Sequence, residues 1–309
     1  MGFPDPRLQP QSRQLHPLLD AFLKGMRRED DPQKRSYPVN VRILRKLRDA
    51  RRDGAFREMD DHTIDLLIVG FFWLLRPCEY LDTQCVESRT QAFRLKHIIL
   101  VLDGKVYNAS RTSLNDLMTK IVTSASLEFD DQKNAVRGET IGHKATSDPI
   151  FCPAKALQRI ALRHVLHAST PFGDREKPIC QHFNPAPRRR QWCGIKPSHA
   201  TTVLRAAASL VEHETNIPAK LITVRSLRPG GATALLCAGV DSDTIKLLGR
   251  WKSDAMFRYL RVQADAQGKH HSQLMLDNGS FTFSPGACAA AGLPREAPPG
   301  SAAILAEPT

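Results

Sequence analysis

Leu15, Leu18, Leu19, Phe22 and Leu23 recur at three- and four-residue steps, the spacing of one apolar helix face over residues 14–26. A charged, proline-marked stretch, residues 27–38, follows and reads as a connector. Two more helices are predicted over residues 39–51 and 60–75, the second with an acidic first turn that suits the positive end of a helix dipole. From 92 to 106 β-branched residues become denser, and residues 125–130 and 138–143 read as a hairpin with Lys133 near its turn. After Cys152-Pro153 the helical period returns over 154–167, 201–213, 227–238, 242–248 and 253–264. Residues 169–197 read as a loop carrying Arg188, Arg189 and Arg190. Beyond about Asp277 the chain turns to Gly, Ala and Pro with few large apolar residues, which predicts a disordered tail. The expectation is an α+β fold, mainly helical with a small antiparallel sheet, divided into 1–38, 39–276 and 277–309.

The most apolar run, residues 64–75, is shorter than the roughly 20 residues that cross a bilayer, and it ends at Arg76. The N-terminus, with Pro4, Asp5 and Pro6, has no secretory pattern, so an intracellular location and no membrane partner are expected. Seven cysteines, an odd number with no Cys-x-x-Cys pair, argue against a disulfide framework and a zinc site. The histidines form no His-x-x-x-His pair, and Gly230-Gly231 lacks the rest of a phosphate loop. Neither a metal nor a cofactor is expected. Charge changes the picture most: 44 Lys and Arg against 32 Asp and Glu give a formal +12, which favours a polyanionic partner, nucleic acid first.

Three sequence motifs narrow that partner. Residues 224–261, VRSLRPGGATALLCAGVDSDTIKLLGRWKSDAMFRYLR, resemble the C-terminal half of the tyrosine recombinase (phage-integrase-like) catalytic domain. In that family a His-x-x-Arg motif opens one helix, a Gly-(His or Trp) pair ends a later one, and a Tyr follows nine residues after the His or Trp. Arg225-Ser226-Leu227-Arg228, Gly249-Arg250-Trp251 and Tyr259 stand in that order here. Upstream, GFFWLLRPCEYL is similar to the family's first arginine motif, with Arg76 and, three positions later, Glu79. FDDQKNAVRGETI resembles the hairpin that carries the family's active-site lysine, which points to Lys133. The style of GRWKSDAMFRYL is closest to eukaryotic mobile-element branches. The resemblance covers roughly residues 39–270, and it makes 1–38 the end of an upstream DNA-clamping domain with its linker.

The resemblance implies strand cleavage and rejoining of duplex DNA through a 3′-phosphotyrosine, in a synaptic complex of several copies, with nuclear localisation in a eukaryote. Metal-free cleavage of a phosphodiester needs cationic donors on the two non-bridging oxygens. Guanidinium stays protonated and offers a planar fork to phosphate, which suits Arg76 and Arg228. Tyr259 is the implied nucleophile, Lys133 the general acid for the leaving 5′-oxygen, with Lys105 and Lys144 as local competitors, and Glu79 a structural support. Arg188, Arg189 and Arg190 are expected to touch DNA. Two positions depart from the family. Arg225 stands where His or Lys is usual, and the His/Trp position falls on Arg250 by count from Tyr259 but on Trp251 by residue type. Either Arg250 donates to phosphate, or Trp251 packs on the tyrosine helix and donates its indole N–H. The alternatives are a DNA-binding relative that has lost cleavage and a helical scaffold whose basic face binds acidic proteins.

Overall fold

The computed structural model describes residues 7, 9, 14, 16–29, 37–52, 58–83, 90–130, 138–170, 172–185, 191–251 and 271–280. The chain divides into two compact units, Met1–Arg35 and Ser36–Thr309. In the first, helix α1 (Pro17–Glu29) leaves Leu18 and Phe22 exposed. It starts later than its apolar spacing, at Pro17, whose missing N–H and fixed φ suit a first helical position.

The second unit is an α+β fold with a small antiparallel sheet. Helix α2 (Val41–Arg52) turns Val41, Ile43, Leu44 and Leu47 into the core and leaves Arg42 and Arg45 half-buried at its edge. Helix α3 (Glu58–Phe72) is apolar around most of its circumference, and Ile64, Leu66, Leu67, Ile68, Val69, Phe71 and Phe72 are all buried. It is the central core helix. It ends earlier than expected, because Leu74 adopts a left-handed φ of 51° that breaks the hydrogen-bond ladder. Helix α4 (Pro77–Tyr80) follows.

Strands β1 (Ile98–Leu102), β2 (Lys105–Asn108), β3 (Val122–Phe129) and β4 (Glu139–Lys144) form one sheet in the order β2-β1-β3-β4, with every pairing antiparallel. Asp103 and Gly104, both at positive φ, make the two-residue turn between β1 and β2. In β3 and β4, Phe129 faces Glu139 at one end and Ser124 faces Lys144 at the other. Between β2 and β3, Ser113 caps the short helix α5 (Leu114–Thr119) by accepting from the Asp116 N–H.

Helix α6 (Pro153–Leu166) packs against both α3 and β3. A buried ion cluster joins it to α3: Asp65, fully buried, accepts from Arg159 at 2.6 Å and from Arg163 at 2.6 Å. Residues 169–197, expected to be a loop, contain a second hairpin, β5 (Gln181–Asn184) with β6 (Gln191–Gly194). The correction has a physical reason. Both strands are four residues long and half-buried on both faces, so they carry no period-two signal. Aromatic stacking holds the hairpin on α6: His164 stacks on Trp192 at 5.0 Å and His167 on Phe183 at 4.5 Å.

Helix α7 (Pro197–Ser209) starts ahead of its predicted span, again at a proline, and α8 (Glu212–Thr215) is a single turn. Helices α9 (Leu227–Cys237) and α10 (Ser242–Gly249) lie within a residue of their predicted ends. Helix α11 (His271–Asn278) buries Leu274, Met275 and Leu276, and the Val41 N–H donates to the Gly279 carbonyl at 2.6 Å. The chain is therefore packed into the core past Asp277, where the tail was expected to begin. Residues 281–309 and the predicted helix 253–264 lie outside the described residues. No described helix is long and apolar enough to cross a membrane.

The aromatic hairpin sets an acid limit on stability. Burial pushes the His164 pKa down to about 4, and burial with Arg163 beside it holds His62 well below its ordinary value. A histidine near 6.5 when unfolded and lower when folded contributes stability that is complete above about pH 6.5 and is lost as pH falls through the folded value. Between pH 6.5 and 5 the His164 share is about 2 kcal/mol. His164→Phe, which keeps a ring on Trp192, should flatten the fall of unfolding free energy over that range. An unchanged slope in denaturant titrations would remove His164 as the cause.

Candidate active site

The site begins at the break after α3. Arg76 precedes Pro77, which excludes helical ψ at Arg76, and its backbone is extended at φ −79° and ψ 148°. Pro77 then opens α4, and Glu79 folds back on the residue before it. The Arg76 N–H donates to Glu79 Oε2 at 2.6 Å, and Arg76 Nη1 donates to Oε1 at 3.1 Å. Glu79 is buried while the Arg76 side chain is 24% exposed, so the guanidinium is held from behind and reaches solvent in front. The next residue, Tyr80, donates its buried hydroxyl to the Val224 carbonyl at 3.2 Å. Its ring lies where a Cβ on Gly70 would be, 2.8 Å from Cζ. That bond ties the first arginine motif to the start of the second.

Thr223 caps the turn formed by Val224, Arg225 and Ser226, and α9 follows with Arg228 in its first turn. Gly230 and Gly231 allow this placement: a Cβ on the first would meet the Val39 carbonyl oxygen at 2.1 Å, and on the second the Phe71 carbonyl oxygen at 2.4 Å. The pair thus serves close packing of α9 against the segment before α2 and the end of α3. Arg228 donates from Nη2 to the Gly249 carbonyl at 2.5 Å, and its guanidinium lies 4.2 Å over the Trp251 ring. The same ring covers Gly249 so closely that a Cβ there would sit 1.4 Å from Trp251 Cζ3. Gly249, Trp251 and Arg228 thus form a stack at the C-terminus of α10, where backbone carbonyls favour a cation.

Arg250, between them, points the other way. It ends α10 in a left-handed conformation, φ 55°, and its side chain is 2% exposed. Nη1 donates to the Trp73 carbonyl at 3.0 Å, and Nη2 to the Leu74 carbonyl at 3.3 Å and to Glu79 Oε2 at 3.1 Å. Its guanidinium lies 4.0 Å over the Phe129 ring, at the end of β3. Burial, with Arg76 nearby, lowers the Arg250 pKa to about 10, while Glu79 and Glu139 oppose the shift. A small cavity of about 160 Å³ opens beside Glu79 and Phe129, lined also by Arg94, Lys96 and His97.

Direct contacts thus join Arg76 to Glu79 and Glu79 to Arg250, and Arg228 to Gly249 and Trp251, and the backbone of residues 249–251 connects the two groups. Two guanidinium groups, Arg76 and Arg250, share the Glu79 carboxylate, and a third, Arg228, rests on the Gly249 carbonyl and the Trp251 ring, an excess of positive charge that suits an anion with paired oxygens. Arg225 is exposed at the end of its turn. Tyr259, Lys133 and Arg188, Arg189 and Arg190 lie outside the described residues. Among the described residues no cluster of His, Cys, Asp and Glu could hold a metal ion. Neither a family model nor a curated protein matches the chain.

Sequence reasoning missed Phe129, Tyr80 and the carbonyls of Trp73 and Leu74. Leu74 offered no signal, since only glycine or asparagine would mark a left-handed position in advance. Tyr80 had one: a tyrosine in an otherwise apolar helix-end motif needs a partner for its hydroxyl when buried.

Proposed function

We propose that the chain breaks and rejoins duplex DNA by the tyrosine-recombinase reaction. The observation that carries the reading is that Arg76 and Arg228, from the two arginine motifs, are both tied to the turn at residues 249–251, Arg76 through Glu79 and Arg250, Arg228 through the Gly249 carbonyl and the Trp251 ring. In this reaction the Tyr259 phenol gives up its proton to solvent, its oxygen bonds to the scissile phosphorus, and the bond from phosphorus to the 5′-oxygen breaks. Arg76 and Arg228 take the charge that builds on the non-bridging oxygens, and Lys133 gives a proton to the leaving 5′-oxygen. The 3′-phosphotyrosine keeps the energy of the broken bond, so a 5′-hydroxyl can reverse the step and rejoin either the same strand or another. Several copies on DNA would supply the exchange of strands.

The inward turn of Arg250 favours one second reading, a DNA-binding relative that no longer cleaves. Incubating the protein with a nicked duplex, from which the short 5′-hydroxyl product diffuses away, separates the two. The first reading expects a protein–DNA adduct on denaturing gels, joined at the 3′-phosphate and formed in the presence of a chelator. Salt-sensitive duplex binding with no adduct would leave the second. Cleavage that requires added divalent metal would overturn the phosphotyrosine mechanism.

A further inference from the structure

Arg250 occupies, by count from Tyr259, the position from which the resemblance implies a donor to the phosphate. Its contacts among the described residues include one carboxylate, the carbonyls of Trp73 and Leu74 at the break after α3, the Leu248 carbonyl of its own helix, and an aromatic face. We infer that Arg250 is a positioning residue that holds Glu79, and through Glu79 the phosphate-facing pose of Arg76, and that it does not itself touch DNA.

Four observations carry this. First, the side chain is 2% exposed, and the Glu79 carboxylate it meets is 3% exposed, so the pair lies behind the surface that DNA would approach. Second, Glu79 divides its oxygens: Oε1 accepts from the Arg76 side chain, and Oε2 accepts from both the Arg76 N–H and Arg250 Nη2. Releasing Arg250 frees the group that fixes both ends of Arg76. Third, Arg250 also binds the carbonyls of Trp73 and Leu74, the two residues where α3 stops, and so it holds the backbone that sets the direction of Arg76. A left-handed non-glycine residue such as Leu74 is strained and persists only where its surroundings fix it. Fourth, Arg250 is covalently next to Trp251 and Gly249, on which Arg228 rests. One buried guanidinium thereby links the supports of both clamp arginines, and its planar fork can reach carbonyls and carboxylate together where an ammonium cannot.

The test uses duplex affinity across a salt series for the full chain. A phosphate contact contributes about one unit to the slope of log affinity against log salt. Arg76→Ala should lose that unit. Adding Arg250→Met to Arg76→Ala should then leave the slope unchanged, because Arg250 acts only through Arg76. A further loss of about one unit would mean that Arg250 touches phosphate itself, and an Arg76→Ala slope equal to the parent's would remove the group it is said to position; either overturns the inference. Arg250→Met leaves Glu79 without its buried cation and can unfold the chain, so the series includes Arg250→Met with Glu79→Gln, which removes both charges. In unfolding titrations the two changes should be strongly non-additive, and additivity would also count against the pairing. On the nicked duplex, Arg250→Met should slow cleavage of the saturated complex by about tenfold or more, with Arg250→Lys recovering part of it. The cleavage arm rests on the proposed reaction and the salt slopes on the duplex binding that both readings share, whereas the unfolding coupling rests on neither. If the parent forms no adduct, that reaction fails, while the salt slopes and the coupling still decide the role of Arg250.

Discussion

Tyr259→Phe should reduce covalent capture of a nicked duplex to background while leaving duplex affinity at the parent value. The change removes one oxygen and keeps the ring, so what it takes away is the hydroxyl proposed as the nucleophile. The chain has four tyrosines, which makes the assignment easy to test by mapping the adduct. Tyr80 is fully buried, donates its hydroxyl to the Val224 carbonyl, and has its pKa raised by burial and by Glu79, all of which oppose a phenolate. Tyr107 is held by Lys120, whose Nζ bonds the phenol oxygen at 2.6 Å, on a strand at the edge of the sheet. Tyr37 packs against the core. An adduct that survives Tyr259→Phe, or one that maps to any of these three, would place the chemistry elsewhere and end the assignment.

What could be read from the sequence, and what could not, follows from the range of the forces involved. Helices α9 and α10 were legible to within a residue because their apolar periods are local and Asp241 caps the second. The main sheet was legible as a patch of β-branched residues, though its strand order depends on contacts between distant segments. The β5–β6 hairpin was hidden, because stacking on His164 of α6 and on His167 just past its end stabilises it and no alternation marks it. At the site, residue types were legible and directions were not. Count and residue type could not choose between Arg250 and Trp251, whereas the left-handed φ at Arg250 turns the first inward and leaves the second beneath Arg228. Glu79 was visible as a support, but its second partner, from the far end of the domain, could be seen only in three dimensions.

Lys133→Ala should slow cleavage about a hundredfold or more, the usual scale of general-acid assistance, with duplex affinity nearly unchanged. Sheet register bears on the two competing lysines. Lys144 pairs with Ser124 and Lys105 with Leu102, which in turn faces Val122, so both competitors sit at one end of the sheet. Phe129 pairs with Glu139 at the other end, roughly 17 Å away at the usual strand rise. The described residues that flank 131–137 are at that second end, where the Gly138 N–H donates to the Phe129 carbonyl and Arg250 packs on the Phe129 ring, while Lys133 itself lies outside the described residues. A substrate with sulfur at the bridging 5′-position separates acid catalysis from other roles, because a thiolate leaves without a proton. On it, Lys133→Ala should cleave almost as fast as the parent. Arg76→Ala and Arg228→Ala should stay slow, since charge still gathers on the non-bridging oxygens they serve. Rescue of Lys105→Ala or Lys144→Ala in place of Lys133→Ala would move the acid to the opposite end of the sheet and overturn this assignment.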